Sequence, residues 1–321
     1  MAGGLAVVLS GGGAKGAFQV GVLDALITGK KVSFDVAVGT STGAIQAAGV
    51  AQNDIGKLIQ FWTSIKGPDD IYKKRGGTFL NIITGKPSMY SVEPLRKLLK
   101  QTIDTQKIRA SGKRLRIGVV NLTTGEFRLV AENADNLADW VYASCAMPFV
   151  FPPQESEDAL GHDEQWVDGG VRDVTPLDAA LNELPRAILV VRASAPAGPA
   201  APKKYGSLTS IGLRAVDILQ NEVSTNDLKN VNLINQLLNA RDRQRVELQS
   251  LGLAGPQIAK VMAPLEMAVA QFRLVPVKVI EPPKNLYDTL EFNSALIKDA
   301  IQMGRDCVSE HWGEIEQFLG V

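Results

Sequence analysis

The stretch from Phe34 to Val50, FDVAVGTSTGAIQAAGV, constrains the fold more than any other part of the chain. An apolar run, Val36 to Val38, ends in Gly39-Thr40-Ser41-Thr42-Gly43, and small residues from Ala44 to Val50 follow at once. The order is strand, sharp turn, helix. In that setting Gly-x-Ser-x-Gly reads as a nucleophile elbow, with the serine at the apex of a strained turn. Gly39 and Gly43 leave space for strand and helix to approach closely, where any Cβ would collide. The amides and dipole at the N-terminus of the following helix favour an anionic oxygen at Ser41. Glycine-rich turns produce the same five-residue pattern, so the flanking strand and helix are what make Ser41 a candidate.

The chain before the elbow obeys the same grammar. Leu5 to Leu9 (LAVVL) is a short continuous apolar run, as in a strand covered on both faces. Ser10 to Gly16 follows, and then Phe18, Val22, Leu23, Leu26 and Ile27 recur at helical spacing, with Gly29 expected at the C′ position. The first fifty residues therefore read β-loop-α-β-elbow-α, the opening of a parallel α/β sheet.

Downstream, Asn53 to Ile65 is a surface helix capped by Asn53 or Asp54, and Lys66 to Tyr90 a long polar loop or cap. Val92 to Leu99 predicts a short helix. Leu115 to Leu122 and Glu126 to Ala131 flank Thr123-Thr124-Gly125 as a hairpin. Leu137 to Ala146 is a helix stopped by prolines, Gln165-Trp166-Val167 leads into Asp168-Gly169-Gly170, and Pro176 opens another helix. Ala187 to Val191 reads as a buried strand. Ser194 to Pro202 is a Pro/Ala-rich connector. Helices are expected over Leu208 to Ser250 and near Ala254 to Ala270, a strand over Phe272 to Ile280, and a terminal helix over Ser294 to Phe318 capped by Asn293. If the late strand rejoins the first sheet, residues 1–321 form one domain: a motif-bearing part (5–192), a connector (194–206) and a helical extension with a late strand (207–321).

Composition removes several function classes. Lys plus Arg equals Asp plus Glu at 34 each, so there is no electrostatic footprint for nucleic acid. The two cysteines, Cys145 and Cys307, make no disulfide framework and fit a reducing compartment. The first residues lack a basic n-region, and no apolar run approaches the ~20 residues that span a bilayer. The expected location is cytoplasmic, with peripheral membrane contact open.

Ser41 needs a base and an oxyanion hole. The chain has only two histidines. A triad ordered Ser41, Asp168, His311 is conceivable, but His311 sits in a terminal helix and His162 in a polar loop, both settings of solvated residues. Asp168 is the alternative base. It follows a strand-like segment and precedes Gly169 and Gly170, which clear room around it, although Asp-Gly also occurs in plain turns. A carboxylate in a partly dehydrated cleft has its pKa raised and accepts a serine proton. Gly11, Gly12 and Gly13, at a strand–helix junction, are candidates to turn their N–H groups inward as the oxyanion hole. Lys15, a cation beside a helix N-terminus, suggests either a nearby anion such as a phosphate head group or a solvated lysine.

Gly11, Gly13 and Gly16 also match G-x-G-x-x-G, with Asp35 near the offset of a ribose-binding acid. Asp35 precedes the second strand, however, where that acid should follow it, and no Gly-Lys-Ser/Thr is present. The histidines and cysteines form no zinc spacing.

Taken together, Gly-Gly-Gly-Ala-Lys-Gly (11–16), Gly-Thr-Ser-Thr-Gly (39–43) and Asp-Gly-Gly (168–170) resemble the three signature motifs of patatin-like phospholipases. Ala143 to Pro148, with Phe151-Pro152-Pro153 after it, resembles the family's segment ahead of the Asp-Gly motif. The resemblance covers Leu5 to Arg192, and Asp-Gly-Gly replaces the commoner Asp-Gly-Ala. It implies an α/β/α sandwich of three layers around a mostly parallel sheet. It also implies a Ser41–Asp168 dyad with a Gly11–Gly13 oxyanion hole, supported by Lys15, Gly16, Gly39, Gly43, Gly169 and Gly170. The implied substrate is a phospholipid or other fatty-acyl ester, cleaved without metal or cofactor. Two other readings stay open: an acyltransferase using the same acyl-serine, and a non-enzymatic lipid- or nucleotide-binding regulator.

Two apolar features bear on membrane contact. Phe79, Leu80, Ile82, Ile83, Met89 and Tyr90 punctuate the long loop, as an apolar lip or as a cap packed on the body. Apolar residues from Leu208 to Leu238 recur at mostly helical spacing, which reads as a core-facing stripe. Oligomeric state is not legible.

Overall fold

A computed structural model of the chain describes residues 3–74, 88–158, 160–195, 204–206 and 208–321. In chain order, strand β1 (Leu5–Leu9) leads through the glycine junction to helix α1 (Ala17–Leu23), and β2 (Val36–Thr40) leads through Ser41 to α2 (Thr42–Ala51) and α3 (Ile55–Ser64). A two-residue ladder, β3 (Lys73–Lys74) with β4 (Tyr90–Ser91), precedes α4 (Glu93–Thr102) and α5 (Thr105–Ala110). Next come β5 (Arg114–Asn121), β6 (Phe127–Ala131), α6 (Leu137–Cys145), β7 (Gln154–Glu157), β8 (Asp163–Asp168), α7 (Leu177–Leu181) and β9 (Ala187–Val191). The remainder is α8 (Leu208–Ser250), α9 (Gly255–Val269), β10 (Val277–Ile280), α10 (Ser294–Glu310) and α11 (Trp312–Leu319).

Eight strands form one mixed sheet in the order β10-β9-β1-β2-β5-β8-β7, with β6 also on β5. The pairs from β10 to β5 are all parallel, and β6, β8 and β7 add antiparallel ladders. The alternation of side chains along a strand sorts this sheet into two cores. Leu5, Val7, Leu9, Leu189 and Val191 face α1, α2 and α10; Ala6, Val8, Val36, Val38, Ile188 and Val190 face α7 and α8. The fold is therefore a three-layer α/β/α sandwich with a mostly parallel centre, as the sequence reading anticipates. The late strand rejoins the sheet, beside β9.

One register places the site. β2 pairs with β5 up to Thr40 opposite Gly118, and β8 pairs with it from Asp168 opposite Val119. Because β6 occupies residues 116–120 of β5 on the other edge, β2 and β8 share one edge and meet end to end.

Several local expectations are corrected. Gly29 is not a C′ residue: Asp24–Gly29 widens into a π-helical turn, and Lys31 takes the positive φ of 61°. The carbonyls of Ala25 and Leu26 are satisfied by the amides of Lys30 and Val32 instead. Asp54, not Asn53, caps α3, accepting from the Lys57 amide at 2.9 Å. The terminal helix breaks at His311, whose ring nitrogen lies 3.0 Å from the Cys307 carbonyl oxygen. The α8 stripe is only partly core: Val231 and Leu238 are buried, whereas Ile211 and Leu219 are more than half exposed. Phe79, Leu80, Ile82 and Ile83 lie outside the described residues. Met89 and Tyr90 pack against the main core, with amides bonded to the Phe149 and Val150 carbonyls. Among the described residues no helix is long and apolar enough to cross a membrane.

Candidate active site

Ser41 sits at the tip of β2 with φ 58° and ψ −129°, a conformation costing a non-glycine residue about 1–3 kcal/mol. The turn exists because strand and helix nearly touch. A Cβ on Gly39 would lie 2.2 Å from the Gly43 carbonyl oxygen, and one on Gly43 would lie 2.0 Å from that of Leu9. The Ser41 amide donates to Ser144 Oγ at 2.9 Å, and the Ser144 hydroxyl donates to the Gly118 carbonyl at 2.6 Å. Ser41 itself is buried to 6 % exposure.

Asp168 ends β8 at 1 % exposure. Its Oδ1 accepts from the Gly170 amide at 2.7 Å, while Oδ2 is buried with no hydrogen-bond partner among the described residues. Burial pushes its pKa up to about 7, against smaller downward pulls from the Ser41 hydroxyl and the Gly170 amide. Gly169 lets β8 turn against β5, since a Cβ there would meet the Gly118 carbonyl oxygen at 2.4 Å.

The glycine loop lies beside Ser41. The Gly11 amide is taken by the Val174 carbonyl at 3.0 Å, so Gly11 contributes space: its Cβ would press on Ser41 Cβ at 3.1 Å. Gly12 and Gly13 make no backbone N–H bond among the described residues, which narrows the expected donors to those two. Gly16 packs under Gln46 and Thr42. Lys15 is neither solvated nor facing an open anion site. It is 8 % exposed and ion-paired with Asp217 on α8 at 3.2 Å.

A narrow apolar cleft opens beside Ser41. Ile45, Phe61, Trp62, Met147, Leu290 and Phe292 are among its walls. The segment carrying Leu290 and Phe292 crosses the glycine loop. The Thr289 carbonyl accepts the Ala14 amide at 2.8 Å, Tyr72 donates to the Leu290 carbonyl at 3.0 Å, and Tyr287 donates to the Ala14 carbonyl at 3.0 Å. Cys145 also faces the cleft; burial, and then the Asp168 charge, push its thiol pKa well up.

Neither histidine lines this cleft. His162 is exposed and holds Asp158 at 2.9 Å, and His311 is exposed at the α10–α11 break. Asp35 accepts the Leu5 amide at 2.9 Å at the start of the sheet, away from any glycine-loop ligand. Among the described residues, no group of three or more His, Cys, Asp or Glu is arranged to hold a metal ion. The structure sets Ser41 and Asp168 at neighbouring strand ends, with the glycine loop against Ser41; Asp217, the 287–292 segment and the Ser144 hydroxyl are not singled out from the sequence. Only Ser144 carries a signal, since it lies in the Ala143–Pro148 segment already singled out.

The profile of one family, described as patatin-like phospholipase, matches residues 7–181. The uncharacterized protein YjjU of Escherichia coli (strain K12) is 25% identical over 193 residues, covering 59% of this chain and 51% of YjjU. The chain thus spans about half the length of that curated relative. Among solved structures, VipD from Legionella pneumophila superposes with a TM-score of 0.43 at 15% identity, over 97% of this chain and 67% of that one.

Proposed function

The chain belongs to the patatin-like phospholipase family, and we propose that it is a lipid acyl hydrolase working through a Ser41–Asp168 dyad. The observation that carries this reading is the buried Asp168 carboxylate, one oxygen unpartnered, beside a serine held at positive φ on the elbow. Asp168 takes the Ser41 proton as the hydroxyl attacks the acyl carbonyl. The Gly12 and Gly13 amides receive the developing oxyanion, where losing one such donor typically costs ~10²–10³ in rate. The alcohol leaves with the proton, an acyl-serine remains, and water deprotonated by Asp168 releases the fatty acid.

The apolar lining of the cleft supports an acyl chain rather than a polar group as the part bound beside Ser41. The pairing of β10 with β9 supports reading residues 1–321 as one domain, with the extension closing the site. Contact with a membrane surface is part of the proposal only as the place where a lipid ester would be met.

Labelling with a fluorophosphonate, followed by peptide mapping, tests the dyad without knowledge of the natural lipid. Label is expected on Ser41, absent in Ser41→Ala and sharply slowed in Asp168→Asn. Well-folded wild-type protein that takes no label would remove the reading. Adding a long-chain alcohol to a turnover assay separates transfer from hydrolysis by its product.

A further inference from the structure

We propose that Ser144 is a positioning residue: its hydroxyl ties the Ser41 backbone to β5 and so sets the distance between the Ser41 hydroxyl and Asp168. The inference rests on the reading of Ser41 as the nucleophile.

The argument starts from the ladder. β2 leaves β5 after Thr40, opposite Gly118, and β8 takes over that edge from Val119. The Ser41 amide is the first donor beyond the parallel ladder, it is buried, and a strand partner for it is gone. A buried amide without an acceptor is costly, so something must receive it. Ser144 Oγ does so at 2.9 Å and passes its own proton to the Gly118 carbonyl at 2.6 Å. Only a group that both accepts and donates fills this place, and a hydroxyl does. Ser144 is fully buried.

The same turn of chain holds the other partner. Two residues beyond Ser144, the Ala146 carbonyl accepts the Asp168 amide at 3.0 Å. The end of α6 therefore grips the backbone of Ser41 through Ser144 and that of Asp168 through Ala146. A serine at φ 58° persists only where its surroundings over-determine it, and this bond is one of the determinants. Without it the Ser41 peptide is free to rotate, and its Oγ swings away from Asp168. Cys145, between the two grips, feels the Asp168 charge.

The test compares wild type, Ser144→Ala, Ser144→Thr and Ser144→Cys. It measures fluorophosphonate labelling rate, ester kcat and KM across pH, and amide hydrogen exchange of the peptide containing Ser41. In Ser144→Ala, labelling and kcat are expected to fall about 10–100-fold with KM nearly unchanged, as for a misplaced reacting group. Its acid limb should move to higher pH, because the Ser41 hydroxyl no longer pulls the Asp168 pKa down. Exchange at the Ser41 amide should rise. Ser144→Thr keeps the hydroxyl and should recover most of the rate. A folded Ser144→Ala with wild-type rate, pH profile and exchange overturns the proposal, as does a Ser144→Thr no better than Ser144→Ala. Should Ser144→Ala fail to fold, Thr is expected to outpace the weakly hydrogen-bonding Cys, and equal rates overturn it. Unlabelled wild type removes the nucleophile reading and this inference with it; altered Ser144→Ala kinetics on a labelled wild type supports both.

Discussion

Lys15 on the glycine loop and Asp217 on α8 form an ion pair at 3.2 Å, and the same Asp217 carboxylate accepts the Thr289 hydroxyl at 2.5 Å. One acidic side chain thus joins the loop beside Ser41, the long helix and the segment that walls the cleft. This makes the helical extension part of the candidate site.

Asp217→Ala should cost about 2 kcal/mol, between the ranges of exposed and buried pairs, because Lys15 is buried while Asp217 is only partly so. Replacing both residues, Lys15→Met with Asp217→Leu, should recover most of that loss. Urea denaturation measures both. A loss in the single variant below about 0.5 kcal/mol, the range of exposed pairs, would mean the pair contributes little.

Ser41→Gly should be more stable than Ser41→Ala by about 1 kcal/mol, because glycine adopts φ 58° without strain and alanine does not. Both should lose at least about 10³-fold in ester hydrolysis. Equal melting behaviour of the two variants would show that the elbow stores no strain.

Activity should rise with pH through an acid limb near pH 7, since Asp168 must be ionised to accept a proton and its pKa is pushed up to about 7. The stability sign is opposite. The folded state holds the Asp168 proton more tightly than the unfolded chain, whose value is 3.8, so this group's stabilising contribution falls as pH rises from about 4 to 7. Asp173 (about 7) and Asp227 (about 6) are raised by burial and act in the same direction. Asp168→Asn should flatten that decline in a series of unfolding curves; an unchanged slope would contradict the raised pKa.

Gly13→Ala should lower both stability and labelling rate. Its Cβ would lie 2.2 Å from the Thr289 carbonyl oxygen, at a φ of 57° that alanine resists. Gly56→Ala, where the nearest atom is 3.8 Å away, is the comparison and should fold as wild type. If Gly13→Ala is as stable as Gly56→Ala, the 287–292 segment does not press on the loop as described.

Phe292→Ala should shift preference toward longer acyl esters, by about tenfold in relative kcat/KM, as a removed wall group in an apolar pocket allows. A series of p-nitrophenyl esters reads the shift. Parallel changes at every chain length would place Phe292 outside the acyl path.

Local patterns carried much of this protein. The alternation from Leu5 to Val50 is written in apolar runs and glycines whose interactions lie within fifty residues, so strand, loop, strand and elbow were legible. α8 was legible for the same reason, because apolar residues from Leu208 to Leu238 recur at mostly helical spacing. The end of α1 was less so, because the π turn and the positive φ of Lys31 answer to packing rather than to Gly29.

The sequence by itself determined the opening of a parallel α/β sheet, the elbow and the two segments most suited to chemistry, since each follows from periodicity and steric room along a short run, while the three layers were implied by the family resemblance. Only the tertiary structure decided that Asp168 ends where β2 ends. That follows from an antiparallel strand taking the edge of β5 that a parallel one has just vacated, with Thr40 opposite Gly118 and Asp168 opposite Val119. The same holds for the partner of Lys15, for Ser144 under the Ser41 amide and for the wall at Leu290 and Phe292. Each joins segments far apart in the chain, and such contacts depend on register and packing, which no local pattern encodes.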